Sequence, residues 1–263
     1  MTSSNSRRIW WCLTGPLALL PIHAAGVYPE GPKLSDFVIS SYTPSLNALI
    51  KTPVVQLETR QLLAIALPNE SRLPGTAKEI SIIETVIKQS NRFDVVRLLE
   101  GEATRQRVLE AMKTSSWVHF ACHGLQDILN PTESHLQLAH HSKLTLSEII
   151  KHHLENAEFA FLSACQTATG SEELLDKAVH LAAGMLLAGY RSVIATMWTV
   201  DDDIATEVAG EVYRHLFFDE YDADYTRSAE VLHFAVKRVC ETRRAEGKSV
   251  SLFSWVPFIH NGL

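Results

Sequence analysis

Residues 117–124 read WVHFACHG and residues 159–167 read FAFLSACQT, two stretches in which an apolar run leads straight into a small, polar end. A near-continuous apolar run of that length, interrupted in the first stretch only by His119, is the signature of a strand buried on both faces, the kind that parallel sheets are made of. In open parallel sheets, reactive groups gather in the crevice outside the carboxyl ends of the strands. One run ends at His123 and Gly124, the other at Cys165, Gln166 and Thr167, so an imidazole and a thiol are expected at two strand ends. The stretch from His123 to Cys165 leaves room for one crossover with a small hairpin inside it, which makes the two strands candidates for neighbours.

Working outward, the same alternation continues. Apolar runs at 61–67 and 94–99 are separated by helical patterns at 76–88 and 103–112. Downstream come a strand at 136–139, helices at 146–153 and 173–187, a strand at 192–197, helices at 204–217 and 226–242, and a tail at 253–262. This βαβ alternation predicts an α/β fold with three layers, α/β/α, around a mostly parallel central sheet. Residues 9–60 read differently: a hairpin or two short strands at 9–12 and 18–21, a loop rich in Gly and Pro, a strand at 37–42, and a short helix from Ser45. The expected organisation is a leader at 1–7 and one domain over 8–263, with 8–60 as an appended N-terminal sub-layer.

Composition excludes several classes. With 46% hydrophobic and 21% charged residues the chain is neither disordered nor a disulfide scaffold. A net charge of -6, with Lys and Arg scattered instead of clustered, argues against nucleic acid as a partner. Arg7 and Arg8 precede an apolar run at 9–20, but Thr14, Gly15 and Pro16 interrupt it and it is too short to span a bilayer, so neither a secretory signal nor a membrane partner is expected. Cys12, Cys122, Cys165 and Cys240 show no CxxC spacing, which predicts free thiols, a reducing compartment and a cytoplasmic location.

Of the four, Cys165 differs because it stands past its apolar run among polar residues, whereas Cys12 and Cys122 read as small core residues. A thiol with its ordinary pKa of about 8.5 is a weak nucleophile at neutral pH until an imidazole favours the thiolate. His123 is the residue to do so, and then to protonate a leaving amine. Gly124 and Gly170 leave room for a substrate carbonyl, and the backbone N–H groups of Gly124 and Cys165 are the candidate oxyanion hole. His119 alternates with Phe120 and reads as a strand residue facing a layer or solvent. A metal held by His119, Cys122 and His123, with His140 and His141, is disfavoured because alternation sends His119 and Cys122 to opposite faces. No GxSxG, GxxxxGK[ST] or HExxH occurs, and neither metal nor cofactor is expected.

At these residues the chain resembles the CHAT family, relatives of caspases and separases. Residues 118–124 look like the family's histidine motif and residues 162–167 like its cysteine motif. Further resemblance runs through 8–11, 20–26, 39–49, 73–79, 183–189, 193–198 and 255–258. Leu13 departs from it, standing where relatives commonly carry a proline, and the tetratricopeptide repeats that relatives usually place before the domain are not seen here. The resemblance implies a caspase-like fold and a cysteine endopeptidase that cleaves protein or peptide substrates through a thioester acyl-enzyme, with His123 and Cys165 as its dyad. The competing reading is a latent or catalytically silent caspase-like adaptor that acts by protein–protein interaction, and either reading allows for an activating protein partner. Trp198, Asp201 and Asp202 are expected at the rim of the substrate cleft, where acidic groups would favour a basic residue. Asp201, Asp202 and Asp203 equally suit the start of the helix near Ile204, an ambiguity that Glu172, Glu173 and Asp176 share.

Overall fold

Four apolar runs, at 61–66, 117–121, 159–162 and 192–196, form the centre of the sheet in the computed structural model. The structure describes residues 7–50, 60–69, 73–127, 129–163, 166–168, 181–218 and 223–263. Its strands are β1 (Arg7–Trp11), β2 (Val38–Tyr42), β3 (Gln61–Ala66), β4 (Asp94–Leu99), β5 (Trp117–Ala121), β6 (Gly124–Gln126), β7 (His135–Gln137), β8 (Lys143–Thr145), β9 (Phe159–Leu162), β10 (Gln166–Ala168), β11 (Ser192–Thr196) and β12 (Phe258–Gly262). Its α-helices are α1 (Gly75–Ser90), α2 (Arg105–Thr114), α3 (Leu146–Lys151), α4 (Leu181–Ala188), α5 (Asp202–Phe218), α6 (Ser228–Ala245) and α7 (Leu252–Trp255).

The central sheet has the order β1-β2-β12-β11-β9-β5-β3-β4, and β11–β12 is its one antiparallel pair. Strand alternation sends Leu63, Val118, Phe120, Ala160 and Val193 to one face, where Val108, Ile149 and Met185 of α2, α3 and α4 meet them. Leu62, Trp117, Phe159, Phe161 and Ile194 point to the other, against Ile83, Val208 and Leu232 of α1, α5 and α6. Both faces are therefore covered, as the apolar runs require, and the three-layer α/β/α arrangement follows. Trp117 sits within 4.7–5.6 Å, centroid to centroid, of Phe93, Phe159 and Phe217, and its indole N–H donates to Glu158 Oε2 at 2.9 Å. Its one polar atom is thereby satisfied in the core.

Three expectations for the chain ends are corrected. Residues 18–21 are not a strand: Pro16 starts a 3-10 helix, Gly15–Leu19, where a proline at the first turn loses no bond. β1 therefore makes no hairpin with 18–21 and instead pairs in parallel with β2, joined by a long crossover. Cys12, just past the edge strand β1, is exposed and not a core residue. The tail holds α7 and then β12, which inserts between β2 and β11.

Side chains fasten that insertion. His260 of β12 is wholly enclosed, with Nε2 at 2.9 and 3.0 Å from the hydroxyls of Ser192 (β11) and Ser228 (α6) and Nδ1 at 3.0 Å from Ser41 (β2). The Arg8 guanidinium of β1 stands 3.4 Å from Nδ1. Because guanidinium only donates, Nδ1 accepts and Nε2 carries the proton. Burial first, then the Arg8 charge, hold His260 well below the usual imidazole range. His23 is held likewise, with Nε2–H donating to the Val256 carbonyl at 2.9 Å and Nδ1 2.7 Å from the Tyr42 hydroxyl.

Candidate active site

Phe120 of β5 lies beside Leu162 of β9. Past the ends of these strands the chain forms a second sheet, order β10-β6-β7-β8. There Gly124 lies beside Gln166, at the same offset in sequence as Phe120 and Leu162. His123 stands between the two matched positions and is half-buried. Its carbonyl accepts from the Gln137 N–H at 2.8 Å, which fastens its backbone to the end of β7. Gly124 opens β6 and is buried, and Cys122 is enclosed in the core as expected. Cys165 lies outside the described residues, as do Gly170, Glu172, Glu173 and Asp176. The offset between His123 and Cys165 in sequence is the offset at which the chain is paired both before and after them.

Beside this junction, on the face covered by α1 and α5, runs a chain of polar groups. Ser163, the residue that follows β9, donates its hydroxyl to Glu79 Oε2 at 3.1 Å. Glu79 Oε1 is 3.1 Å from His119 Nε2, and His119 Nδ1 is 3.2 Å from the Tyr213 hydroxyl. Glu79 is 2% exposed, and His119 and Tyr213 are wholly enclosed. Glu79 Oε1 and His119 Nε2 lie at ion-pair distance but out of line for a hydrogen bond, and neither atom has another hydrogen-bond partner among the described residues. Burial, with the Glu79 charge second, pushes the Tyr213 phenol well above its usual range, so it stays a neutral hydroxyl. The His119 ring also stacks on Phe161 of β9 at 4.9 Å. His119 thus faces a layer, one of the two placements its alternation allowed.

Glu79, Ser163, Thr196 and Asp202 surround a cavity of about 20 Å³, the space of a single water. Asp202 is half-buried, and burial holds its carboxyl above the usual range while a hydrogen bond with the Gly75 backbone opposes the shift. A carboxylate there caps the start of α1 from the start of α5. Asp201 is exposed and accepts from the Asp203 N–H at 3.4 Å, at the start of α5. Trp198 is half-buried, edge-on to Phe253 at 6.3 Å, and its indole N–H is enclosed without a partner among the described residues.

Glu79 was not among the residues that the sequence marked, yet the signal was present. Glu79, Ile83 and Val86 are spaced i, i+4, i+7, so a carboxylate occupies the buried stripe of an otherwise apolar helix face. A larger cavity, about 710 Å³, opens between α6 and the β2–β12 part of the sheet, with Tyr42, His233, Cys240 and Trp255 in its wall. Its thiol does not suit nucleophilic chemistry, since burial pushes Cys240 up to about 11. Size alone therefore does not make that cavity the reacting centre.

A family model described as the CHAT domain matches residues 1–263. Among solved structures, the chain is similar to the Arg specific cysteine proteinase gingipain R, with a TM-score of 0.58 and 14% identity over 86% of this chain and 54% of that one. It is similar to the complex of the pro- and mature domains of Porphyromonas gingivalis RgpB, with a TM-score of 0.60 and 13% identity over 98% of this chain and 64% of that one. It is also similar to the Saccharomyces cerevisiae separase–securin complex, with a TM-score of 0.65 and 15% identity over 97% of this chain and 15% of that one. The chain thus spans about half of the gingipain R chain and a small part of the separase chain. At such identities the likeness is one of fold, the caspase-like fold. No curated protein sequence matches.

Proposed function

Since the chain belongs to the CHAT domain family, whose model covers all of it, we propose that it is a cysteine endopeptidase acting on protein or peptide substrates with His123 and Cys165 as the reacting pair. The observation that carries this is the constant pairing offset, the same at Phe120–Leu162 and at Gly124–Gln166 and equal to that between the two candidates. It supports a histidine and a cysteine brought side by side at the carboxyl edge of the sheet, where such chemistry is done.

In the proposed cycle the His123 imidazole takes the thiol proton, and the Cys165 sulfur forms a bond to the scissile carbonyl carbon. The carbonyl oxygen gathers negative charge and is met by the backbone N–H groups of Gly124 and Cys165. His123 returns the proton to the leaving nitrogen as the C–N bond breaks, which leaves a thioester. Water then adds to the thioester carbon, giving its proton to His123, and the C–S bond breaks to release a carboxylic acid and the thiol. Trp198, Asp201 and Asp202 are assigned to the substrate cleft, with Asp202 the best placed because it shares the small cavity with Ser163, close before Cys165 in the chain.

A protein partner that activates or restrains the enzyme belongs to this reading. Separase is seen in complex with securin, and RgpB in a complex of pro- and mature domains. Cys12, Cys122 and Cys240 are free thiols, which supports a reducing, cytoplasmic setting. Among the described residues no helix is long and apolar enough to cross a membrane.

The test is covalent labelling with a library of peptidyl acyloxymethyl ketones, read by intact mass. Wild type is expected to take one adduct, lost in both Cys165→Ala and His123→Ala, with the preferred peptide reporting the cleft. An adduct that survives Cys165→Ala would sink the proposal, and no adduct at all would favour the adaptor reading.

A further inference from the structure

A carboxylate taken out of water costs several kcal/mol unless it is well paired, and a packed apolar side chain of the same size is usually at least as stable. Glu79 bears that cost at 2% exposure, on a helix face whose other inward residues include Ile80, Ile83, Val86 and Ile87. Its partners lie on two different strands: Ser163 closes β9, and His119 lies inside β5, the strand that leads to His123. His119 is itself held from the far side by Tyr213 of α5. One carboxylate thus meets the residue that follows β9 and the middle of β5, the two strands that lead into the junction.

Ser163 is two positions before Cys165, so their Cα atoms are within about 7 Å of each other by chain geometry alone. A hydroxyl anchored to a buried carboxylate that also meets His119 fixes the backbone from which the nucleophile departs. A hydrogen bond is directional, so it fixes where along the strand this residue sits, which apolar packing specifies less sharply. Displacement of a reacting group by about 1 Å lowers rates by about a hundredfold.

We propose that Glu79, through Ser163 on one side and His119 on the other, is a positioning residue that sets the register of the cysteine against the histidine. The inference rests on the peptidase reading for its catalytic consequence. Its physical content, a strand end held by Glu79, stands independently.

The experiment compares wild type with Ser163→Ala, Ser163→Thr and Glu79→Gln. Labelling by the preferred acyloxymethyl ketone is followed at saturating and subsaturating reagent, and amide hydrogen exchange is measured over residues 159–166. Ser163→Ala is expected to lower the maximal labelling rate at least about tenfold with little change in half-saturation, and Ser163→Thr, which restores the hydroxyl, to recover most of it. Glu79→Gln should show the same split in a protein that remains folded by circular dichroism. Maximal rates unchanged in Ser163→Ala and Glu79→Gln, or a loss that Ser163→Thr fails to rescue, would overturn the inference. If wild type takes no label, the peptidase reading fails, and hydrogen exchange alone decides. Faster exchange over 159–166 in Ser163→Ala then supports the anchoring role, and unchanged exchange refutes it.

Discussion

His23 offers a pH dependence that can be worked through from the structure. Burial is the main cause that lowers its pKa from 6.5 to about 4, opposed by its bond to the Val256 carbonyl. The folded value lies below the unfolded one, so the stabilisation is fully present above pH 6.5 and drains away as the pH falls from 6.5 toward 4. At pH 5 the unfolded imidazole is almost wholly protonated while the folded one is only about a tenth protonated, and the difference integrates to about 2 kcal/mol. At pH 7 the same quantity is close to zero. His23→Gln can still donate to the Val256 carbonyl and accept from Tyr42 but has nothing to titrate. The assay is urea unfolding followed by tryptophan fluorescence at pH 7 and pH 5, for wild type and variant. His260, also held far below its usual range, is common to both proteins and cancels in the comparison. The stability advantage of wild type over variant should shrink by about 2 kcal/mol between the two pH values. A constant difference would show that His23 is not kept neutral by its surroundings, and the reasoning from burial would fail.

Two further outcomes follow from the core. Glu158→Ala deprives the enclosed Trp117 indole N–H of its acceptor and should cost about 1–3 kcal/mol in urea unfolding. Arg60→Met leaves the buried Glu158 carboxylate without its counter-charge at 3.4 Å and removes a hydrogen bond to the Ala223 carbonyl, so it should also cost about 1–3 kcal/mol. Gly189 has φ +121° and a Cβ there would lie 2.5 Å from the Leu154 carbonyl, whereas Gly247 has φ +74° in open space. In thermal unfolding, Gly189→Ala should therefore destabilise clearly more than Gly247→Ala, whose cost is limited to about 1 kcal/mol of backbone strain.

The central strands were readable because burial on both faces imposes a continuous apolar run, and such runs appear at β3, β5, β9 and β11. β12 was not, because its buried residues include His260 and Asn261, and the polarity of His260 is satisfied only by partners far away in sequence. The short strands β6, β8 and β10 span too few residues to show a period at all. For the candidate site, the two strand ends were visible as a change from apolar to small and polar residues. Glu79 was legible only as an interruption of a helix stripe, and nothing local tells whether such a carboxylate meets water or a histidine from another strand. The parallel pairing of β1 with β2 is likewise set by where β2 docks, beside the last strand of the chain.

That docking has a consequence for the order in which the molecule can be made. β1 and β2 reach the rest of the sheet through β12, so Tyr42, near the start of the chain, waits for a partner strand that opens at Phe258. During synthesis the strands from β3 to β11 can assemble and bury both faces as soon as their helices have left the ribosome. β1 and β2, made before β3, have no edge of the larger sheet to join until residues 258–262 emerge. β1 and β2 are therefore carried as unplaced passengers while every strand from β3 to β11 is made, and the emergence of β12 is what brings them home.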